Sequence, residues 1–282
     1  MRSRAKSDIV VALFLLVGIV ACGGPAPNAD PQAPPANPRK EKTEAELKKL
    51  GVPINPWLPL IKSEEEARIR SPQEVARRTL VLHSVAAAGH GVNRDDIVKH
   101  LKEQGLWDHA SPEEKRFLQD KNPAEQSMID AAWRAEALWT LLWALGKMED
   151  LGLPTEPCDE ERIQEWVLTR SQAPEFISSA RLRPVSEILD ELDRIYRIHW
   201  AVRDAELKNQ RIPANFIPSV VVERHYALYW LTGYADDWDD VTMDISAGPD
   251  AEQSLETSWA QRGGDSSMRR AVAVEKAEDN CG

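Results

Sequence analysis

Two histidines, two glutamates and a set of arginines fall in three stretches of the chain that crowd ionisable and aromatic side chains together. Glu136 lies in Trp133-Arg134-Ala135-Glu136-Ala137-Leu138, His199 in Arg197-Ile198-His199-Trp200-Ala201, and His225 in Glu223-Arg224-His225-Tyr226. Imidazoles His199 and His225 brought together from two helices, with Glu136 or Glu223 as base or ligand, would suit metal-assisted hydrolysis. A structural reading competes with this one. His199 falls on the apolar stripe of Ile188, Leu192, Ile195 and Val202, where a histidine donates to a carbonyl or carboxylate of the core. A second candidate is an anion cleft: Arg181 and Arg183 stand just before Pro184 at the start of a helix, where the N-terminus adds positive potential, and Arg203 follows on the same helix. Guanidinium groups also suit buried bidentate pairing. On that reading Arg134, Arg181, Arg183, Arg197, Arg203 and Arg224 pair with Glu136, Glu187, Asp190, Asp204 and Glu223. If Arg203, Glu223 and Arg224 are paired in the core, removing one partner costs about 3 to 5 kcal/mol.

No serine elbow, P-loop, dinucleotide fingerprint, calcium loop, HExxH pair or Cys/His zinc pattern occurs in the sequence. The reading therefore calls for no cofactor and no metal. Gly89-His90-Gly91 reads as a turn. The tryptophans at 133, 139, 143, 200 and 230 read as core, their indole donors needing partners.

The third kind of chemistry is covalent. Arg2, Arg4 and Lys6 precede an apolar run, Ile9 to Val17, that continues to Ala21; this is the pattern of a cleaved signal peptide, and the run is too short to cross a bilayer. Ile19-Val20-Ala21-Cys22 resembles the lipobox of bacterial lipoproteins, in which the signal is cut before a cysteine that is then acylated. The resemblance implies lipidation at Cys22 and a palmitate-bearing chain held on a membrane, since each buried methylene contributes about 0.8 kcal/mol. Gly23 rather than Asp follows the cysteine, which implies an outer-membrane anchor facing the periplasm in a cell with two membranes.

The whole chain carries a formal charge of −11; removing residues 1–21 takes away Arg2, Arg4, Lys6 and Asp8, a net +2, and leaves −13. That balance opposes nucleic-acid binding, which needs clustered cations. It equally disfavours anionic lipid, so membrane contact is expected to run through the acyl chains. Besides Cys22 only Cys158 and Cys281 are present, too few for a disulfide scaffold.

Behind the cysteine, Gly23 to Arg39 is rich in proline and reads as an extended stalk. Polar caps followed three residues later by glutamate then mark helix starts: Thr43 with Glu46, Ser71 with Glu74, Ser111 with Glu114 and Asn122 with Glu125. Between them apolar residues recur every three or four positions. The pattern predicts helices near 43–50, 72–88, 94–104, 112–120, 123–149, 159–169, 184–207 and 218–232, the last despite the strand-favouring run Val220-Val221-Val222. No repeat of solenoid period recurs. From residue 246 the composition turns polar and small, which predicts a disordered tail. The chain is thus read as signal peptide 1–21, lipidated cysteine and stalk 22–42, one all-α multi-helix domain 43–245 that is not a regular repeat solenoid, and tail 246–282.

The Trp-Arg-x-Glu-Ala-Leu stretch at 133–138, the helix holding Arg197, His199, Trp200 and Ala201, the Glu223-Arg224-His225 segment and Trp238-Asp239-Asp240-Val241 together resemble a bacterial family of domains of unknown function, DUF4272, over roughly Ser71 to Asp244. Tyr229 stands where the resemblance implies Asn, and Met243-Asp244-Ile245 where it implies Thr-Asp-Thr. The family brings no known activity. The anchor therefore carries the leading expectation, an envelope lipoprotein whose helical domain is a non-enzymatic module for binding another macromolecule, such as a protein. The alternative is a hydrolase or small-anion-binding protein using the His, Glu and Arg residues of the central helices.

Overall fold

In a computed structural model of the chain, residues 37–168, 173–243 and 245 are described. Cys22, the signal segment, most of the stalk, Cys281 and the tail lie outside the described residues. Among those described, the chain forms one all-α domain with nine helices and no strand: α1 Pro38–Lys49, α2 Pro72–Gly89, α3 Arg94–Glu103, α4 Pro112–Gln119, α5 Glu125–Ala144, α6 Glu160–Leu168, α7 Ala173–Ser178, α8 Val185–Leu207 and α9 Pro218–Leu231. None of the described helices is long and apolar enough to cross a membrane.

The helix starts at Ser71 and Ser111 form as their chemistry dictates. Each serine side chain accepts from the backbone N–H of the glutamate three residues on, that glutamate returns a carboxylate to the serine N–H, and proline occupies the first helical position. The other two expected caps differ. Helix α1 begins at Pro38, capped by Asn37, whose side chain accepts from Lys40 N at 3.1 Å; Thr43 is buried inside the helix. Asn122 donates its N–H to the Asp120 side chain at 2.9 Å in a turn of its own, and α5 starts two residues later behind Ala124. At its far end α5 stops at Ala144, short of the expected 149. Gly146 takes φ +68° there, a conformation open to glycine, and its N–H closes on Trp143 O while Lys147 N bonds Leu142 O. Helix α7, only six residues long, is too short to show an apolar period and was not expected from the sequence. The valine run is helical in α9.

Helix α5 is buried on almost every side from Arg134 to Leu145. It packs between α2 and α9, α9 packs in turn on α8, and α8 carries α1 on its outer side; α3, α4 and α7 cover α2. The α2–α5–α9–α8 succession brings the three motif-bearing helices into one core.

Candidate functional site

Glu223, Arg224 and His225 are consecutive on α9, so their side chains leave the helix about 100° apart and meet three different neighbours. Glu223 faces α5, where both its oxygens accept from Arg134 Nη1 at 3.0 and 2.8 Å. Arg224 donates from Nη1 to the carbonyls of Leu151 and Gly152 at 3.1 and 3.0 Å, and its Nε lies 3.6 Å from Glu136 Oε2. His225 turns to α8 and meets His199, Nδ1 to Nδ1, at 2.8 Å. The two histidines of the sequence reading are therefore brought together, and the two glutamates are each directed at an arginine instead.

Burial sets the charge state of each group. Burial holds His225 down at about 3 and places His199 well below the usual histidine range, with His225 and Arg203 lowering His199 further. Both rings are neutral near pH 7. Burial raises Glu136 above the usual carboxylate range against the opposing pull of the Cys158 N–H, which it accepts at 2.5 Å, and of Arg224. Burial and the Glu136 carboxylate push the Cys158 thiol far up, so it is a poor nucleophile at neutral pH. Burial alone would lower Arg134; the Glu223 carboxylate, with Tyr226 and Glu114, more than reverses this and holds the guanidinium charged. Among the described residues no group of three or more His, Cys, Asp or Glu is placed to hold a metal ion.

The arginines of the expected anion cleft do not converge. Arg183 serves as a cap for α5: its Nε donates to Trp143 O at 2.7 Å, its Nη2 to the carbonyls of Met148 and Glu149, and its Nη1 to Glu187. Arg181 donates to Ala180 O. Arg203 lies twenty residues from Arg183, near the other end of α8 and so about 30 Å away. Its side chain is 37% exposed and pairs with Glu206 at 2.5 Å, which corrects the expectation of a buried pair.

One buried arginine network, at Arg78, escaped the sequence reading, and a second, at Arg197, was expected to pair but takes partners other than those expected. Arg78 of α2 donates to both oxygens of Glu114 at 2.5 Å, so Glu114 closes a capping box and an ion pair at once. Arg197 is bonded to Asp193 at 2.8 and 3.0 Å and reaches Glu44 of α1 at 3.5 Å. The signal for the first was present in an arginine three residues after Val75 on an otherwise apolar stripe. Trp238 joins the set: Arg78 stacks over its ring at 4.8 Å and Arg134 at 5.9 Å, and Tyr226 donates its hydroxyl to Trp238 O. Tyr229 meets His225 edge to face, ring centroids 4.1 Å apart, and stacks on Tyr234 at 4.3 Å.

The fold and this arrangement define an all-helical domain whose core is stitched by arginine–carboxylate pairs. A family model described as a domain of unknown function (DUF4272) matches residues 39–241, and the chain belongs to that family. The match begins within α1, earlier than the four sequence segments indicated. Neither characterised proteins nor solved structures gave a match.

Proposed function

We propose that the chain is an envelope lipoprotein, acylated at Cys22, whose helical domain binds another macromolecule without catalysis. The observation that carries this reading is the basic start, apolar run and Ile19-Val20-Ala21-Cys22 box, followed by a proline-rich stalk. The core geometry supports the second half. Arg134, Glu136, Glu223 and Arg224 are directed at one another, and Arg183 at backbone carbonyls, which leaves the outer surface as what the domain presents. The net −13 behind the cysteine argues against nucleic acid as the partner. The hydrolase reading draws on one observation, the His199–His225 contact, and is weakened by the burial of both rings and by the engagement of the carboxylates elsewhere.

Labelled palmitate should enter the wild-type chain in cells and not Cys22→Ala; equal label in both defeats the anchor. Amine-reactive crosslinking of intact cells should give a discrete heavier species containing this chain. Monomer alone at every dose defeats the interaction half.

A further inference from the structure

The seam between α8 and α9 holds two imidazoles where helix interfaces ordinarily carry aliphatic groups. His199 is 3% exposed and His225 fully buried, their rings at 89° and their Nδ1 atoms 2.8 Å apart. A contact of that length needs one shared proton: one Nδ1 donates and the other offers its lone pair. Two protonated nitrogens would point N–H at N–H, and two bare ones would oppose lone pairs. His225 Nε2 is sealed in the core with no hydrogen-bond partner among the described residues. An unused lone pair costs less than an unused N–H, so His225 donates from Nδ1 and keeps Nε2 bare.

That bare nitrogen is where an extra proton would land, and among the described residues no carboxylate forms an ion pair with either ring. The rings beside the pair are Tyr196 from α8 and Tyr229 from α9, with Tyr234 stacked behind Tyr229. Of the charged side chains, Arg203 acts on His199 and carries the same sign as the new proton. The acids of the same helices are held elsewhere: Glu223 by Arg134, Asp193 by Arg197, Glu191 by Arg194, and Glu206 by Arg203. Towards the ends of α8, Glu187, Asp190 and Asp204 pair with Arg183, Arg39 and Lys208. From α1, Glu44 faces Arg197 and Lys40; from α5, Glu136 faces Arg224.

We propose that the His199–His225 contact is an acid-labile latch: protonation of the pair parts the α1–α8 layer from the α2–α5–α9 layer, whose own packing stays closed. The two layers are each tied internally. Asp190 and Arg197 of α8 bind Arg39 and Glu44 of α1, and Arg134 and Glu136 of α5 face Glu223 and Arg224 of α9. Both imidazoles are held below their unfolded value of about 6.5, so the closed seam binds fewer protons than the open one. Closure is therefore fully favoured above about pH 6.5 and weakens as pH falls towards 3. With two protons taken up, the opening constant rises up to about 100-fold per pH unit in that window.

Hydrogen exchange of the full chain, corrected for intrinsic rates and followed by mass spectrometry from pH 7.5 to 4.5, tests the latch. Peptides from α8 should lose protection below about pH 6 while those from α5 keep theirs. The double variant His199→Leu/His225→Phe, which keeps an apolar seam, should lose that acid response. An unchanged response in the variant overturns the proposal, as does simultaneous loss across α2, α5 and α8. Should the variant not fold, the wild-type ring nitrogen shifts decide by themselves: proton uptake at these two rings coincident with α8 exposure supports the latch, and rings that charge with α8 still protected, or α8 exposure with the rings still neutral, overturns it.

Discussion

Glu223→Ala should lower the stability of the domain by about 3 to 5 kcal/mol, the cost of leaving a buried charge without its partner. Arg134 is buried on α5, and Nη1 meets both oxygens of Glu223. With the carboxylate gone the guanidinium keeps the faces of Tyr226, 4.7 Å away, and Trp238, and the more distant pull of Glu114, which is itself bonded to Arg78; cation–π contacts of this kind contribute about 1 to 2 kcal/mol. In a domain of this size the loss corresponds to a fall in Tm of about 10 °C. Replacing both partners, as in Arg134→Leu/Glu223→Leu, should recover most of it, because the penalty lies in the unpaired charge rather than in losing the pair. Arg203→Ala is the contrast: its pair with Glu206 sits at the rim and its removal should cost less than about 1 kcal/mol. Thermal and urea melts of the four proteins decide. A Glu223→Ala melt matching the wild type, or an Arg203→Ala loss exceeding it, would refute the assignment of the buried pair.

The same residues show how far sequence reasoning reaches here. Helices were legible wherever the start carried its own chemistry, as at Ser71-Pro72 and Ser111-Pro112, and where an apolar period ran for several turns, as in α5 and α8. They were illegible where a boundary depended on contacts from afar. The end of α5 rests on Gly146 and on the Arg183 guanidinium, which arrives from forty residues away to cap the last turn. The site shows the same division. Adjacency in Glu223-Arg224-His225 suggested one cluster with His199 and Glu136, yet adjacency on a helix separates side chains by about 100°. Which neighbour lies on each side is a property of packing order, and only the placement of α9 between α5 and α8 sends Glu223 one way and His225 the other. The histidine pair was therefore legible as two candidates, and its lack of carboxylate partners was not.

Gly89→Ala should be among the most damaging single-methyl additions in the domain, against the ordinary expectation that alanine improves a helix by about 1 kcal/mol over glycine. Gly89 is the last residue of α2, at the point where that helix crosses α5. A β-carbon there would stand 2.3 Å from Ala132 N and 2.8 Å from Ala131 C. Both obstacles are backbone atoms within α5, so no side-chain rotation relieves them and the helices must separate. Overpacking typically costs about 1 to 3 kcal/mol, and a clash against rigid backbone belongs at or above the upper end. The seam at risk is the one on which the rest of the core is laid, since α9 packs on the opposite side of α5. Gly146→Ala isolates the other reason a glycine resists change. Gly146 has φ +68° with nothing within 4 Å of an added β-carbon, so the substitution should cost only the left-handed strain of about 1 to 2 kcal/mol. Urea denaturation should therefore place Gly89→Ala below Gly146→Ala and both below the wild type. A Gly89→Ala protein as stable as the wild type would refute the close approach of α2 to the α5 backbone at this residue.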